Sequence, residues 1–368
     1  HICMTKKVKV LIAMGGTGGH VFPGFNLAKD LINKNCQVEL ITDKRGFKYI
    51  KNFKDMNITI LPSKPFIKKN LFLFLYSSIF LIYSFLRSIT YLMVKRPTII
   101  IGMGGYASFP ICIAASVLGI KFIIYENNLI IGKANRYLLP FAKKILVSYK
   151  ELEGISPKHT HKVNEVGNII KKEIINIPKN SSKSFLDKRI NILVLGGSQA
   201  AKVFAEILPN IFKECSNQGL SLKIYQHCLV NQNNLLETFY KKNNIDFETF
   251  NFSNNLGEYF SKVNIAITRA GSSVLAELTN ACIPFISIPL PSSADDHQLK
   301  NAIFYKKRNF GILVEEKELN DKLLGIIKDI YKNRVVLNQI IQSQSQFSDK
   351  NVYKNINLIL EKIIDEKN

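Results

Sequence analysis

The chain has 368 residues, 46% of them hydrophobic and 21% charged, which excludes a disordered or fibrous protein and leaves room for about two globular domains. Its net charge of +22 points to an anionic partner: nucleic acid, an acidic membrane leaflet or a phosphorylated substrate. The six cysteines are scattered, with no C-x-x-C pair, which argues against a zinc site or a disulfide scaffold and for a reducing compartment.

In chain order, short β-branched runs predict strands at Lys9–Met14, Val38–Thr42, Ile58–Leu61, Thr98–Ile101, Lys121–Tyr125 and Lys144–Ser148, with helical patterns between them. The apolar pattern opens at Val8 with no signal peptide ahead of it, so a cytoplasmic protein is expected. The pattern restarts with Asn191–Leu195, Leu222–Gln226, Phe247–Phe252, Ile265–Thr268, Pro284–Ile288 and Gly311–Val314. Strands alternating with helices predict parallel sheets, and therefore an α/β protein of two doubly wound domains. The polar stretch Lys171–Lys188 is the expected linker, dividing residues 1–170 from 171–349. The helical pattern Val352–Ile364, within the terminal segment 350–368, is expected to pack back on the first domain.

Leu71–Leu86 interrupts its apolar and aromatic residues only with serines. A bilayer span needs about 20 apolar residues, and a single crossing here would separate strands of one sheet. A transmembrane reading is therefore rejected. Core burial is expected for much of the segment, with an exposed apolar patch on its opposite face. Lys64, Lys68, Lys69, Arg87, Lys95 and Arg96 flank it, and an apolar surface rimmed by cations suits anionic lipid.

The first predicted strand runs into Met14-Gly15-Gly16-Thr17-Gly18-Gly19-His20-Val21-Phe22-Pro23, with Pro23 taken to mark a helix start. Glycines there let the backbone approach an anion at a helix N-terminus. The dinucleotide fingerprint fails, because Val21 stands where its third glycine belongs, although Asp43 is placed to act as a ribose-binding acid. His20 would sit at the edge of the sheet where ligands bind. Gly102–Ser108 and Glu126–Asn135 follow two further strands and open on that edge, which predicts one cleft. In the second half, Gly196–Ala201 and Thr268–Glu277 are again turns opening helices, suited to a diphosphate, with Glu277 able to accept from a ribose diol. Pro291–Gln298 and Asn301 concentrate the hydrogen-bonding side chains that a sugar requires.

Gly15–Pro23, Gly102–Ser108, Glu126–Asn135, Val166-Gly167-Asn168, Gly196–Ala201, Ala270–Glu277 and Asp295–Asn301 resemble, in order, the motifs of the bacterial MurG glycosyltransferases. The resemblance covers nearly the whole chain. It implies a GT-B fold, with two Rossmann-like parallel-sheet domains facing across a cleft. The implied reaction is inverting transfer of N-acetylglucosamine from UDP-N-acetylglucosamine (UDP-GlcNAc) to the C4 hydroxyl of the N-acetylmuramic acid in lipid I. The product is lipid II, for peptidoglycan synthesis. Residues 1–170 would then bind acceptor and membrane, and 171–349 the donor. The implied place is the cytoplasmic face of the inner membrane, held peripherally, among cell-wall synthesis and division proteins.

By the same resemblance His20 and Glu126 are the catalytic residues. Gly104, Gly105 and Tyr106 lie on the acceptor side. Thr17, Gly18, Gly19, Asn128 and Lys171 contribute to donor binding, as do Ser198, Gly271, Ser272, Ser273 and Glu277. His297, Gln298 and Asn301 read the diphosphate-sugar end. No cofactor or metal is implied, and the sequence has no Asp-x-Asp pair to hold a divalent ion. There are departures from the family pattern. Ala200 replaces a usual Gly, Ile169-Ile170-Lys171 replaces Pro-Val-Arg, and Tyr125 and Asn127 stand where His and Gln are common. Lys171 keeps the charge of Arg but loses its bidentate fork. Two alternatives stay open: another GT-B lipid glycosyltransferase, such as a diacylglycerol sugar transferase, and a non-enzymatic sugar-nucleotide binder. Aromatic-interleaved RNA-binding motifs are absent, so nucleic acid is not an expected partner.

Overall fold

Runs such as Ile99-Ile100-Ile101 and Phe122-Ile123-Ile124 have no polar face to offer water, so they form strands only where both faces are covered. The structure, a computed structural model, covers them in that way. It describes residues 8–53, 55–179, 188–197, 200–251 and 256–366, with Ala200 and Ala201 described in backbone only. Its described residues form two compact units: one runs to Ile170 and resumes at Asp349, and the other is Lys171–Ser348.

Unit 1 holds β1 (Lys9–Ala13), β2 (Gln37–Thr42), β3 (Asn57–Ile60), β4 (Ile99–Gly102), β5 (Phe122–Glu126), β6 (Ile145–Val147) and β7 (Val163–Glu165). They lie side by side as β3-β2-β1-β4-β5-β6-β7, every neighbouring pair parallel. Unit 2 holds β8 (Ile190–Leu195), β9 (Leu222–His227), β10 (Asp246–Phe250), β11 (Ile265–Thr268), β12 (Phe285–Ser287) and β13 (Ile312–Leu313). Their order, β10-β9-β8-β11-β12-β13, repeats the first six of unit 1, again all parallel. Both units are Rossmann-like. The strand order turns between β1 and β4 and between β8 and β11, and a doubly wound sheet takes its ligands at such a point, beyond the strand C-termini.

The polar run Val163-Asn164-Glu165 has no alternation that would predict β7; pairing with β6 makes it a strand. In the expected linker, Lys172–Ile175 is a short helix and residues 180–187 lie outside the described set. The chain leaves unit 1 firmly held. Asn168 N donates to Asp349 Oδ1 (2.9 Å), Ile169 N to Tyr125 Oη (3.1 Å), and Tyr353 Oη to the Ile170 carbonyl (2.6 Å). The last helix, Val352–Asp365, lies in unit 1, with Asn357 Nδ2 donating to buried Asp30 Oδ2 (3.0 Å). Lys121 Nζ closes its C-terminus on the Ile363 carbonyl at 3.0 Å.

The first helices of unit 1 are α1 (Gly18–Asn33), α2 (Lys44–Ile50), α3 (Leu71–Lys95) and α4 (Ser108–Val117). The expectation of core burial for Leu71–Leu86 is overturned on α3. Its buried residues are Ser77, Ser84, Ser88 and Leu92, while Phe72 is 76% and Ile79 68% exposed. α3 packs along α4, whose buried residues include Pro110, Ile111, Ala114 and Ala115. The buried Ser84 and Ser88 hydroxyls satisfy themselves on the carbonyls four residues back, each at 2.8 Å, and Ser77 Oγ accepts from Ile67 N at 3.2 Å. Most bulky apolar residues of Leu71–Leu86 are left outside, whereas Phe85, Ile89 and Tyr91 pack on the core and Leu92 is buried. α3 is long and apolar enough to cross a membrane, but it connects β3 and β4 of a single parallel sheet.

Candidate active site

In unit 1 the chain turns sharply after β1, with Thr17 N donating to the Gly15 carbonyl (3.1 Å), and α1 begins at Gly18 with His20 in its first turn. Pro23 does not mark the start of the helix; it lies inside it. Proline has no N–H for the carbonyl four residues back, which is that of Gly19. Asn127 Nδ2, from the loop after β5, donates to that carbonyl at 3.3 Å. Sequence reasoning assigned Asn127 nothing; a proline six residues into a helix was the available signal.

His20 Nδ1 stands 3.4 Å from Thr17 Oγ1, and its ring rests on the loop after β4. Gly104 and Gly105 have φ of +96° and +78°, and a Cβ on either would come within 3.2 Å of ring atoms of His20. Both the backbone conformation and the space demand glycine there. Tyr106 follows, exposed.

Asp43 is not a ribose acid. It is buried, with Oδ1 accepting from Gly16 N (3.0 Å) and Gly46 N (2.8 Å), and Oδ2 from Arg45 Nε and Nη2 (both 3.2 Å). It caps α2 and ties the β1 turn to it.

Glu126, at the end of β5, is buried in a cage of donors. Oε1 accepts from Asn128 N (3.2 Å) and Nδ2 (3.3 Å); Oε2 accepts from Gly132 N (2.8 Å) and Asn135 Nδ2 (3.1 Å). Burial raises its carboxyl above the usual range, and these four donors pull it back. Such a carboxylate orders the loop 127–132 and fixes Asn128. Unit 1 thus brings together Thr17, Gly18, Gly19, His20, Gly104, Gly105, Tyr106, Glu126 and Asn128.

In unit 2 the helix Ser272–Asn280 follows β11 through Gly271, and no side chain caps its N-terminus. A Cβ on Gly271 would meet only Val274, at 3.7 Å, so the backbone here is open to close approach. Glu277 lies on this helix; burial raises its carboxyl to about 7, against the opposing pull of Lys171. Lys171 therefore sits in the field of Glu277 within one unit, a relation that sequence separation hides.

The loop before the helix His297–Lys307 turns through Asp295 and Asp296, both left-handed at φ 52° and 53°, a conformation that Asp tolerates. His297 Nδ1 is held on the Ala294 carbonyl at 2.8 Å. Gln298 Oε1 accepts from Leu290 N (2.9 Å) and Ala270 N (3.3 Å), while buried Asn301 donates from Nδ2 to the Ala270 carbonyl (3.1 Å). These two amides join the loop before His297 to the Gly271 turn. Arg269, which the sequence reading passed over, does the same from below. Nη1 donates to the Ile288 and Pro289 carbonyls (3.3 and 3.4 Å), Nη2 pairs with Glu316 (2.6 Å), and Phe204 lies beneath at 4.9 Å. An arginine directly after a buried strand was its signal. Ser198 lies outside the described residues. Among the described residues no three His, Cys, Asp or Glu side chains converge on a metal-sized site.

The N-terminal domain model of glycosyltransferase family 28 matches residues 10–147, and the C-terminal domain model of that family matches residues 191–356. A protein of Pelagibacter ubique named UDP-N-acetylglucosamine–N-acetylmuramyl-(pentapeptide) pyrophosphoryl-undecaprenol N-acetylglucosamine transferase is 34% identical over 359 residues, 97% of this chain and 99% of that one. A Rickettsia felis protein of the same name is 34% identical over 333 residues, covering 87% of this chain and 91% of its own. Among solved structures, Acinetobacter baumannii MurG matches with a TM-score of 0.78 at 23% identity, covering 97% of this chain and 100% of that one. A Staphylococcus aureus MnaA–UDP co-structure matches at 0.65 and 12% identity, covering 98% and 99%. These structural likenesses carry the fold.

Proposed function

The chain belongs to glycosyltransferase family 28, and from that membership we propose that it transfers N-acetylglucosamine from UDP-GlcNAc to the C4 hydroxyl of lipid I, giving lipid II for peptidoglycan synthesis. The observation that carries the chemistry is His20, seated on two left-handed glycines where the strand order of unit 1 turns. Unit 1 binds the acceptor. As the C4 oxygen bonds to the anomeric carbon, His20 takes the hydroxyl proton and the bond to UDP breaks on the opposite face, inverting the centre. Glu126, with all four of its bonds engaged, positions Asn128 and the loop beside α1. In unit 2 the helix N-terminus at Gly271–Ser273 stabilises the leaving diphosphate, and Glu277 accepts from the ribose hydroxyls. Gln298, Asn301 and Arg269 hold the shape of that loop pair, and His297 faces the diphosphate-sugar end. Lys171, beside Glu277, adds positive charge to the donor.

Label transfer from UDP-GlcNAc to lipid I tests this reading, and formation of lipid II is expected. Label appearing instead in diacylglycerol would favour the other lipid glycosyltransferase, and nucleotide binding with no transfer would leave only the sugar-nucleotide binder. The helix N-terminus serves where other enzymes use a divalent ion, so activity is expected to persist undiminished in EDTA.

The outward face of α3, with its flanking lysines and arginines, supports a peripheral seat on the anionic cytoplasmic face of the inner membrane. Lysines near such a surface contribute about 1 kcal/mol each, and a buried aromatic contributes about 1.5–3 kcal/mol. Phe72→Ser combined with Tyr83→Ser is expected to release the protein from anionic vesicles at moderate salt without lowering its melting temperature. Vesicle co-flotation that survives both changes would remove α3 from the membrane contact.

A further inference from the structure

We infer that Arg45 binds the diphosphate of the acceptor, a role that rests on the acceptor-side reading of unit 1 above. The guanidinium is built into place. Buried Asp43 takes its Nε and Nη2 on Oδ2, both at 3.2 Å, and holds the Gly16 and Gly46 N–H groups on Oδ1. One carboxylate thereby registers the β1 turn, the start of α2 and the guanidinium against one another. Arg45 Nη2 is near enough to the turn that a Cβ on Gly16 would meet it at 3.4 Å, and Cζ stands 5.8 Å from the Tyr106 ring centroid. The side chain nevertheless stays 47% exposed, so it is held without being covered.

Capping of α2 accounts for the bond from Asp43 to Gly46 N but asks nothing of Arg45. An arginine fixed by a buried acid, against an exposed tyrosine and beside a glycine turn, is oriented for a ligand. Of its five N–H donors, those of Nη1 are not spent on Asp43. A planar fork already fixed in one orientation suits phosphoryl oxygens and loses little further freedom on binding. His20 follows the same turn, and in the acceptor the diphosphate stands one hexose ring away from the hydroxyl that reacts. Phosphate and base therefore belong to one turn of the chain.

Steady-state kinetics on the full chain, varying acceptor and donor separately, tests the assignment. Arg45→Ala is expected to raise the acceptor KM about tenfold or more and to weaken its dependence on salt, with donor KM unchanged and the protein still folded. Arg45→Lys, which keeps a cation on Asp43, is expected to recover only part of the loss. An unchanged acceptor KM in a folded Arg45→Ala or Arg45→Lys protein overturns the inference. So does a penalty that vanishes when the carboxylates of the acceptor's peptide stem are amidated, because the guanidinium would then read the peptide. Absence of any wild-type transfer overturns the functional reading and this inference with it, whereas active wild type with an unaffected variant overturns this inference alone.

Discussion

Replacing His20 with alanine is expected to lower kcat about 10²–10⁴-fold while leaving the KM of both substrates nearly unchanged. The acceptor hydroxyl must lose its proton as it attacks, and a neutral imidazole is suited to take it near pH 7. The ring is fixed for this by Thr17 and by the two glycines beneath it. Removing it leaves the binding groups of both units in place, so the loss belongs in kcat. An imidazole base works only when unprotonated, so wild-type kcat falls toward acid pH, and His20→Ala loses that limb. Glu126 is the competing base. Its oxygens already carry two hydrogen bonds each, which leaves it poorly placed to collect a proton without dismantling the loop it orders. Full activity in His20→Ala, with Glu126→Ala folded and inactive, would transfer the role to Glu126.

Glu277→Ala is expected to raise the donor KM by roughly tenfold to a hundredfold, from the loss of charge-assisted hydrogen bonds worth about 1.5–3 kcal/mol. Acceptor KM should hardly move. The carboxyl also sets a pH dependence, because burial lifts it from 4.5 to about 7. Only the ionised form accepts fully from two ribose hydroxyls. Donor KM is therefore expected to climb as pH falls through 7 and to level off above it, while the limb due to His20 appears in kcat at saturating donor. Stability of the free protein runs the other way. A carboxyl whose folded value is raised favours folding below its unfolded value, and that contribution is lost as pH rises from 4.5 through about 7. Glu277→Gln abolishes both dependences. A donor KM that stays flat with pH, or is unchanged in Glu277→Ala, places Glu277 outside the donor site.

Much of this protein is written locally. The alternation of β-branched runs with helical patterns determined twelve of the strands to within about two residues, because a continuous apolar run can be satisfied only in a covered parallel sheet. The glycine turns after β1, β4 and β11, and His20, Glu126 and Glu277 with them, were legible for the same reason: an open backbone next to a strand end is a local property of the chain. Tertiary contacts decided what no local pattern holds. The polar strand β7 exists because β6 offers it a partner. Pro23 sits inside a helix because Asn127, more than a hundred positions away, takes the carbonyl it leaves unbonded. Asp43 reads in sequence as a free acid after a strand, but the fold closes Gly16, Arg45 and Gly46 around it and spends its oxygens. α3 shows the difference most plainly. Composition predicts core burial for much of the segment, yet packing within unit 1 covers only a narrow stripe of Ser77, Ser84, Ser88 and Leu92, so most of its apolar bulk faces out.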